Sequence, residues 1–337
     1  MSDNTIARLG STYHEWVKAH PDAADDFQKA IEDTLSDAGI NYDRVVARVK
    51  SWKSLKHKAR KTTDKGAPVY PDPWSDIHDK IGVRITVLHS TDIPVVLDIL
   101  AHSFDVIRSI DKALETKVSG GFGYGSHHLV VTVNEESEGL QDYVGIDFEI
   151  QVRTVLQHAW AEFEHDIRYK RGQGDIDPQV DRSFTLAAGL IELADQQFDQ
   201  IAALHDPETL RPTDEEVELT AETLPGILAM LVGTRFPRSR FEHYRWLEEL
   251  LVLNNITTVS QLTDLLNEAD IEAVSSAMNY RFVPGQVRII DDLLLNRFGR
   301  EHIERTAKTG TNPAQRKERL KRRLKLLRSA GKSSLSD

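Results

Sequence analysis

One short segment constrains the fold more than any other: residues 149–154 read Glu-Ile-Gln-Val-Arg-Thr and alternate between polar and apolar side chains. Side chains of a β-strand point to opposite faces with a period of two residues. The pattern places Ile146, Phe148, Ile150 and Val152 on one face and Asp147, Glu149, Gln151 and Arg153 on the other. It predicts a strand with a buried face and a polar face that is a candidate site. A solvated outer strand would show the same alternation, so the neighbouring motifs must decide.

Composition sets the outer bounds. The chain has 337 residues, of which 40% are hydrophobic and 28% charged, as is typical of a globular protein with room for two domains. No segment approaches the 18 or more apolar residues of a membrane span, and no signal-peptide pattern opens the sequence, so a cytoplasmic location is expected. The chain contains no cysteine, which excludes disulfides, thiolate metal sites and cysteine nucleophiles.

The net charge of −11 argues against nucleic-acid binding over the whole surface, but the positive charge is concentrated in two segments. The first lies between Asp43 and Asp64 and contains no acidic residue, whereas the second lies near the C-terminal end and contains only Glu318. Their cations are Arg44, Arg48, Lys50, Lys53, Lys56, Lys58, Arg60 and Lys61, and Arg316, Lys317, Arg319, Lys321, Arg322, Arg323, Lys325 and Arg328.

Hydrophobic periodicity divides the chain into a mixed first part and a helical second part. It predicts strands at 81–88, 104–110, 128–133 and 149–154, and helices at 11–38, 93–103, 155–169 and 180–204. Another helix is predicted through Val45, Val49, Trp52 and Leu55. The expected domains are 1–205, a small helical domain at 214–308, and a basic tail at 309–337 in which Leu320, Leu324 and Leu327 have helical spacing.

The first basic segment suits a polyphosphate, which needs several cations on one surface. Four of its polar side chains recur at steps of three or four residues and would share one face of the predicted helix: Lys50, Ser54, Lys58 and Lys61. A merely solvated basic helix is the alternative, and the lack of any compensating acidic residue argues against it.

Phosphoryl transfer also needs a divalent cation, and carboxylates are the hard oxygen ligands that Mg²⁺ prefers. Asp79 lies just before the predicted strand at 81–88, and Glu149 lies on the polar face of the later strand. Arg84 adds a planar cation suited to a nucleobase or a phosphate. Each of these residues alone fits an ordinary surface position, but together they predict a magnesium and nucleotide site.

Two further segments carry candidate ligands. The loop Gly-Tyr-Gly-Ser-His-His at 123–128 places Tyr124 among small residues, where its ring can stack on a base or simply pack on the core. No Gly-Lys-Ser or Gly-Lys-Thr follows, so the loop is not a Walker motif. His158, Glu162 and His165 lie near one another on the next helix, but they lack the His-Glu-x-x-His spacing of a zinc site.

Residues 40–205 resemble the synthetase domain of the RelA/SpoT family, because four motifs occur in that family's order. They are Arg-Val-Lys-Ser at 48–51 with Ser54 and Lys58; Asp-Lys-Ile-Gly-Val-Arg-Ile at 79–85; Gly-Tyr-Gly-Ser-His-His at 123–128; and Glu-Ile-Gln-Val-Arg-Thr at 149–154, followed by His158, Trp160, Glu164, His165, Tyr169 and Lys170. The chain looks like a small alarmone synthetase. This resemblance implies an α+β fold, a mixed β-sheet flanked by helices as in nucleotidyltransferase-like domains, with a C-terminal all-helical domain.

The resemblance also implies a GTP diphosphokinase. Such an enzyme transfers the β,γ-pyrophosphate of ATP to the 3′-hydroxyl of GDP, GTP or GMP and makes (p)ppGpp, the alarmone of the stringent response, with Mg²⁺ as cofactor. The implied roles are catalysis and magnesium binding for Asp79 and Glu149; adenine binding for Arg48 and Arg84; binding of the ATP phosphates for Lys50, Ser54, Lys58 and Lys61; and binding of the acceptor nucleotide for Tyr124, His128, Gln151 and His158.

The sequence departs from the family pattern before the loop tyrosine. Small synthetases commonly carry a lysine there, but residues 118–123 contain none and Lys117 is the nearest. Acceptor affinity and acceptor identity therefore stay open. Only about 40 residues precede the basic segment, which is too few for the family's hydrolase domain, so synthesis without hydrolysis is expected.

Two other functions stay open at this point. One is a toxic relative that pyrophosphorylates the 3′ end of tRNA, for which the basic tail offers phosphate contacts. The other is a catalytically inactive nucleotide-binding regulator. RNA is a candidate partner of the tail, although a solvated basic end is the default, and no membrane partner is expected. A homo-oligomer is typical of small synthetases, but the sequence does not decide the oligomeric state.

Overall fold

A computed structural model describes residues 3–112, 125–171, 178–204, 218–310 and 312–333. The chain forms two compact units. Unit 1 comprises Met1–Glu32 and Tyr42–His205, and unit 2 comprises Asp33–Asn41 and Asp206–Asp337. In the described part of the chain, no helix combines the length and the apolar character needed to cross a membrane.

Unit 1 is built on a mixed five-stranded sheet. Its strands are β1 (Tyr42–Val49), β2 (Ile81–Val87), β3 (Asp105–Asp111), β4 (His127–Thr132) and β5 (Asp147–Thr154), in the order β1-β2-β5-β4-β3. The β2–β5 pair is parallel and the other pairs are antiparallel. The predicted α+β fold with a mixed sheet is confirmed, and β2, β3, β4 and β5 lie where the sequence patterns place them.

One face of the sheet is apolar because alternate side chains of each strand point to it. Phe148, Ile150 and Val152 are fully buried there, as the alternation predicts. Helix α2 (Ala23–Asp37) packs on this face, with the rings of Phe27 and Phe148 centred 4.8 Å apart. The opposite face is polar and remains available for a site.

The helices of unit 1 surround this sheet. They are α1 (Asp3–Ala19), α2 up to Glu32, α3 (Trp52–Ala59), α4 (Pro73–Asp76), α5 (Asp92–Ser103), α6 (Val155–Arg171) and α7 (Pro178–Leu204). The single helix predicted at 11–38 is wrong, since α1 ends at Ala19 and α2 begins at Ala23. Pro21 explains the break, because proline lacks an amide hydrogen and its ring clashes with the preceding turn of a helix.

The helix predicted through Val45, Val49, Trp52 and Leu55 is also wrong. Residues 42–49 form the edge strand β1, in which Val45 pairs with Ile85 and Val49 with Ile81. The helical spacing of these apolar residues is a coincidence of a short strand followed by a short helix. Backbone pairing with β2, which lies more than thirty residues away in the sequence, decides the conformation of this segment.

The described residues of unit 2 are helical, apart from turns and one isolated bridge between Glu218 and Thr258. Its helices are α8 (Leu224–Val232), α9 (Phe241–Leu253), α10 (Val259–Leu265), α11 (Glu268–Met278), α12 (Gln286–Phe298), α13 (Arg300–Thr306) and α14 (Pro313–Ser333). They share one apolar core, which includes Leu228, Leu247 and Leu293. The predicted all-helical C-terminal region is confirmed.

Within the segment that the sequence analysis set apart as a basic tail, Pro313–Ser333 form helix α14 of unit 2. Leu320, Leu324 and Leu327 of α14 are buried in the apolar core of this unit. Arg316 and Arg323 are buried as well, and both contact Asp291 of α12. The segment is therefore packed rather than loose, because acidic residues of the same unit neutralise the arginines on its inner face.

Candidate active site

The polar face of the sheet brings most of the described candidate residues together. On β2, Gly82 and Arg84 are paired in register with Glu149 and Gln151 of β5, and Gln151 is paired with His128 of β4. Residues that are paired across adjacent strands project from the same side of the sheet. The register therefore collects these side chains on one surface.

Two lysines converge on Asp79 at this surface. Lys50 directly follows β1, Lys58 lies in α3, and Asp79 lies in the short 3₁₀ helix before β2. The Nζ atoms of Lys50 and Lys58 lie 2.9 and 2.8 Å from Asp79 Oδ2. Three segments far apart in the sequence thus form a compact arrangement of two cations and one carboxylate.

The side chain of Asp79 is ionised and has unused binding capacity. Burial by itself raises the pKa of this carboxyl, but the hydrogen bonds from Lys58 and Lys50 outweigh burial and lower the pKa below its ordinary value. The second oxygen, Oδ1, is buried and has no protein hydrogen-bond partner. A buried carboxylate oxygen without a partner is costly, so this atom is suited to accept a ligand.

Helix α3 begins with a side-chain cap. Ser51 Oγ accepts a hydrogen bond from the Ser54 amide at 3.3 Å, and the Ser54 hydroxyl lies 3.0 Å from the same oxygen. The helix ends at Ala59, so Lys50 and Lys61 lie outside it, and the prediction of one helical face shared by four residues is wrong. Lys61 is exposed, and its described contacts are backbone hydrogen bonds with Lys58 and Val69.

Glu149 forms a short hydrogen bond with His128. The Nδ1 atom of His128 lies 2.5 Å from Glu149 Oε1, and Nε2 lies 2.9 Å from the Ser126 hydroxyl. Burial by itself raises the pKa of Glu149, but the hydrogen bond and the charge of His128 outweigh burial and lower it. Glu149 is therefore an anionic acceptor oriented by its neighbour.

Arg48 and Arg84 lie on adjacent strands of the same face. Arg48 is paired with Gly82, and its Nε atom would lie 4.0 Å from a β-carbon added at that glycine. Arg84 Nη1 donates a hydrogen bond to Glu162 Oε1 at 3.0 Å. The glycine leaves space above the strand, so a flat ligand could enter beside these two guanidinium groups.

The sequence analysis assigned no role to Arg153, yet this residue is the most buried cation of the polar face. Its side chain is 4% exposed, and its Nη2 atom donates to His158 Nδ1 at 2.5 Å and lies 3.4 Å from Glu162 Oε1. Burial and the nearby charge of Arg84 lower the pKa of Arg153 to about 10. Burial, and after it the charge of Arg153, lowers the pKa of His158. The imidazole is therefore neutral, and its Nδ1 atom can accept the hydrogen bond from Arg153.

Glu162 links these cations. One exposed carboxylate contacts Arg84 and Arg153, while His158 Nδ1 lies 3.7 Å from it. The sequence signal for this cluster was the position of Arg153 on the polar face of the strand, followed by two polar residues one helical turn apart. What the sequence could not show is that α6 lies over this part of the sheet.

Some of the predicted site lies outside the described residues. The structure does not describe Tyr124 or Lys117, and it does not describe the side chain of His165. The predicted roles of these residues stay predictions.

The two predicted metal ligands fit Mg²⁺ chemistry. Asp79 is close enough to Glu149 for its negative charge to oppose the lowering of the Glu149 pKa. Mg²⁺ in nucleotide enzymes is usually held by one or two carboxylates together with substrate phosphates. Among the described residues, no group of three or more His, Asp or Glu side chains forms a metal site. Asp79 and Glu149 could therefore hold the ion jointly with a nucleotide.

Comparisons with known proteins identify relatives of this chain. Residues 47–174 match the model of the region found in RelA / SpoT proteins. GTP pyrophosphokinase YjbM of Bacillus subtilis (strain 168) is 31% identical over 159 residues, which cover 47% of this chain and 70% of that protein. GTP pyrophosphokinase YwaC of the same organism is 30% identical over 154 residues, which cover 45% and 70%.

A solved structure is similar as well. The crystal structure of the small alarmone synthetase 1 from Bacillus subtilis matches with 25% sequence identity and a TM-score of 0.46. The match covers 57% of this chain and 97% of that protein's chain. The matched region in the sequence comparisons contains the Lys50, Lys58 and Asp79 arrangement and the Glu149 and His128 pair. The sequence matches and the site within them show that the chain belongs to the RelA/SpoT family.

Proposed function

We propose that unit 1 transfers the β,γ-pyrophosphate of ATP to the ribose 3′-hydroxyl of a guanine nucleotide, making (p)ppGpp. The observation that carries the proposal is the convergence of Lys50 and Lys58 on Asp79, beside Glu149, on the polar face of the sheet. Related chains named GTP pyrophosphokinases support the choice of reaction. A product of this kind would serve the stringent response.

The donor half of the site binds ATP through charge. In the free protein the ammonium groups of Lys50 and Lys58 are both paired with Asp79. When ATP enters, its phosphates would take over these cations, and the freed Asp79 would bind Mg²⁺ together with Glu149. Arg48 and Arg84 would hold the adenine between them, which requires Arg84 to exchange its contact with Glu162 for the base. Ser54 and Lys61 would complete the phosphate contacts.

The acceptor half uses the other end of the polar face. His128 and Gln151 are paired in register, and His158 lies beside Arg153. With Tyr124, these side chains would border the guanine nucleotide. Because the sequence departs from the family pattern near Lys117, GMP, GDP and GTP are all candidate acceptors.

The reaction is an in-line displacement at the β-phosphorus. The 3′-oxygen of the acceptor forms a bond to this atom, the bond from it to the bridging oxygen of the α-phosphate breaks, and AMP leaves with that oxygen. Glu149, held in place by His128, would accept the proton of the 3′-hydroxyl. Bound magnesium would neutralise charge on the phosphates. Positioning and charge neutralisation supply most of the catalysis in such transfers.

The test is a transfer assay with purified full-length protein. The protein is incubated with Mg²⁺, γ-labelled ATP and, in separate tubes, GMP, GDP, GTP or bulk tRNA, and the products are resolved. We expect the label in a guanine nucleotide. Label in tRNA alone would replace the proposal with tRNA pyrophosphorylation, and no transfer to any acceptor would leave a nucleotide-binding protein without this activity.

A matched pair of variants separates catalysis from charge. Glu149→Gln keeps the size of the side chain but removes the anion, and we expect a loss of at least about 100-fold in kcat, the size of effect typical of a general base. Glu135→Gln removes an exposed carboxylate from the turn between β4 and β5, and we expect little change. Equal loss in both variants would contradict the assigned role of Glu149.

A further inference from the structure

A basic groove in unit 2 has no part in the proposed reaction. It lies between α13 and α14, has a volume of about 730 Å³, and has a floor that includes Ile303 and Leu324. Five cations line it, accompanied by one carboxylate, that of Glu304: Arg300, Lys317, Lys321, Lys325 and Arg328. In a chain with a net charge of −11, this is a local excess of positive charge.

Helix α14 has two basic faces with different surroundings. On the inner face, Arg316 and Arg323 are buried and contact Asp291. On the groove side, the lysines are exposed, and the only ion pair described there joins Lys321 to Glu318 at 2.6 Å. The inner arginines therefore stabilise the fold, whereas the groove cations are available to a ligand.

The spacing of the groove cations indicates a ligand with regularly repeated negative charges. Lys317, Lys321 and Lys325 recur every four residues, which is one cation per about 6 Å of helix at a rise of 1.5 Å per residue. With Arg328 the row is about 16 Å long. A phosphodiester chain repeats its charge at every nucleotide along such a length, whereas a single triphosphate would occupy only part of the row.

The lining residues and the shape of the groove narrow the choice further. None of the described side chains that line the groove is aromatic, so bases have no ring on which to stack. The volume of about 730 Å³ is enough for a short stretch of one extended strand but not for a duplex. We infer that this groove binds single-stranded RNA through its phosphates, without sequence preference. The inference concerns unit 2 alone and holds whether or not unit 1 transfers pyrophosphate.

Salt dependence gives the first test. Fluorescence anisotropy of a labelled 16-nucleotide single-stranded RNA of mixed sequence, titrated with the full-length protein at 50–200 mM KCl, measures the affinity. Each phosphate contact with a single strand contributes about −0.7 to the slope of log K against log salt, so four or five contacts predict a slope of about −3. The affinity should then fall about 60-fold over this range. A slope near zero, or no binding at 50 mM, would overturn the inference.

Matched variants locate the contact. In the double variant Lys317→Gln and Lys325→Gln we expect the slope to become shallower by about 1.4, the contribution of two phosphates. Arg322→Gln removes one charge from an exposed position of the same helix that does not line the groove, and it should leave the slope unchanged. Circular dichroism must show the same helix content in every variant.

A competition experiment with the same labelled RNA distinguishes RNA from other anionic ligands. Inorganic triphosphate, added at the same phosphate concentration as an unlabelled RNA, should displace the probe far less well. Equal displacement would assign the groove to free polyphosphates, and equal displacement by polyglutamate would assign it to acidic proteins. Loss of RNA affinity in Lys58→Gln, but not in the groove variants, would place the RNA in unit 1. Each of these outcomes overturns the inference.

Discussion

The buried charge cluster around Asp291 should hold the last helix of unit 2 in place. Asp291 Oδ1 lies 2.7 Å from Arg316 Nη2 and 3.0 Å from His302 Nε2, and Oδ2 lies 3.1 Å from Arg316 Nη1. The side chain of Asp291 is only 2% exposed. We expect Asp291→Asn, which keeps the shape but removes the charge, to destabilise unit 2 by about 3 kcal/mol.

The magnitude follows from what each arginine retains. Removing one partner of a buried ion pair typically costs about 3–5 kcal/mol, because the other charge stays buried and unpaired. Arg323 keeps Asp37 at 3.3 Å and Asp292 at 3.6 Å. Arg316 keeps the Thr306 carbonyl at 3.0 Å and a position 4.7 Å over the Trp246 ring. These remaining contacts place the expected cost at the lower end of that range.

Hydrogen exchange of the α14 amides measures this cost locally. A loss of about 3 kcal/mol corresponds to about 100-fold faster exchange for amides that open with the unit. Glu301→Gln is the control, because it removes an exposed ion pair with Arg305 that contributes at most about 1 kcal/mol. If Asp291→Asn speeds the exchange no more than Glu301→Gln does, the buried cluster does not hold the helix.

The same cluster sets the sign of the pH dependence. Burial by itself raises the pKa of Asp291, but Arg316 and His302 outweigh it and lower the pKa well below the ordinary value. A lowered folded-state pKa contributes stability that is present above the unfolded-state pKa of about 4 and is lost as the pH falls below it. The contribution of Asp291 to the unfolding free energy should therefore be constant above about pH 5. Urea titrations of the wild type and Asp291→Asn should converge only in acid; convergence near pH 6 would contradict this assignment.

Three further outcomes are expected. Lys58→Gln should raise the KM for ATP by about 10-fold or more, since a hydrogen bond to a charged group contributes about 1.5–3 kcal/mol. The effect of Lys61→Gln on this KM should be smaller, because no contact joins the Lys61 side chain to Asp79. Glu162→Gln should lower the urea midpoint of unit 1, because buried Arg153 loses its nearby carboxylate; an unchanged midpoint would show that His158 suffices. Gly285→Ala should destabilise unit 2 by about 1–3 kcal/mol in thermal unfolding, because the added β-carbon would lie 2.8 Å from the backbone of Gly39. Gly189→Ala is the control and should not destabilise the chain, because the space around Gly189 is open.

Local patterns were sufficient for the central strands. Phe148, Ile150 and Val152 are buried because period-two alternation is a property of the strand itself, and the same holds for β2. The sequence analysis set Asp79 just before β2 and Glu149 on the polar face of β5, without knowledge that these two strands are paired. Local patterns therefore predicted which face of the sheet is polar, and the family resemblance predicted the fold class.

Long-range pairing limited the prediction of the donor half. The apolar residues of 42–55 fit a helix as well as they fit a strand followed by a helix, and only the pairing of β1 with β2 distinguishes them. For that reason Lys50 meets Lys58 at Asp79 from the end of a strand, not along a helix face. The residues that converge were predicted, although the geometry that brings them together was not.

The polar face of the sheet has two parts that differ in charge, and buried Arg153 belongs to the second. Around Asp79 and Glu149, each carboxylate has a cationic or hydrogen-bonding partner that a metal ion could replace. Around Arg84 and Arg153, two guanidinium groups share the exposed carboxylate of Glu162, so positive charge is in excess. A site that moves a pyrophosphate from one nucleotide to another would use both conditions, because a metal ion would require carboxylates while the phosphates would require cations. Both parts receive a side chain from β5, because alternate residues of a strand point to the same face. Glu149 lies in the first part and Arg153 in the second.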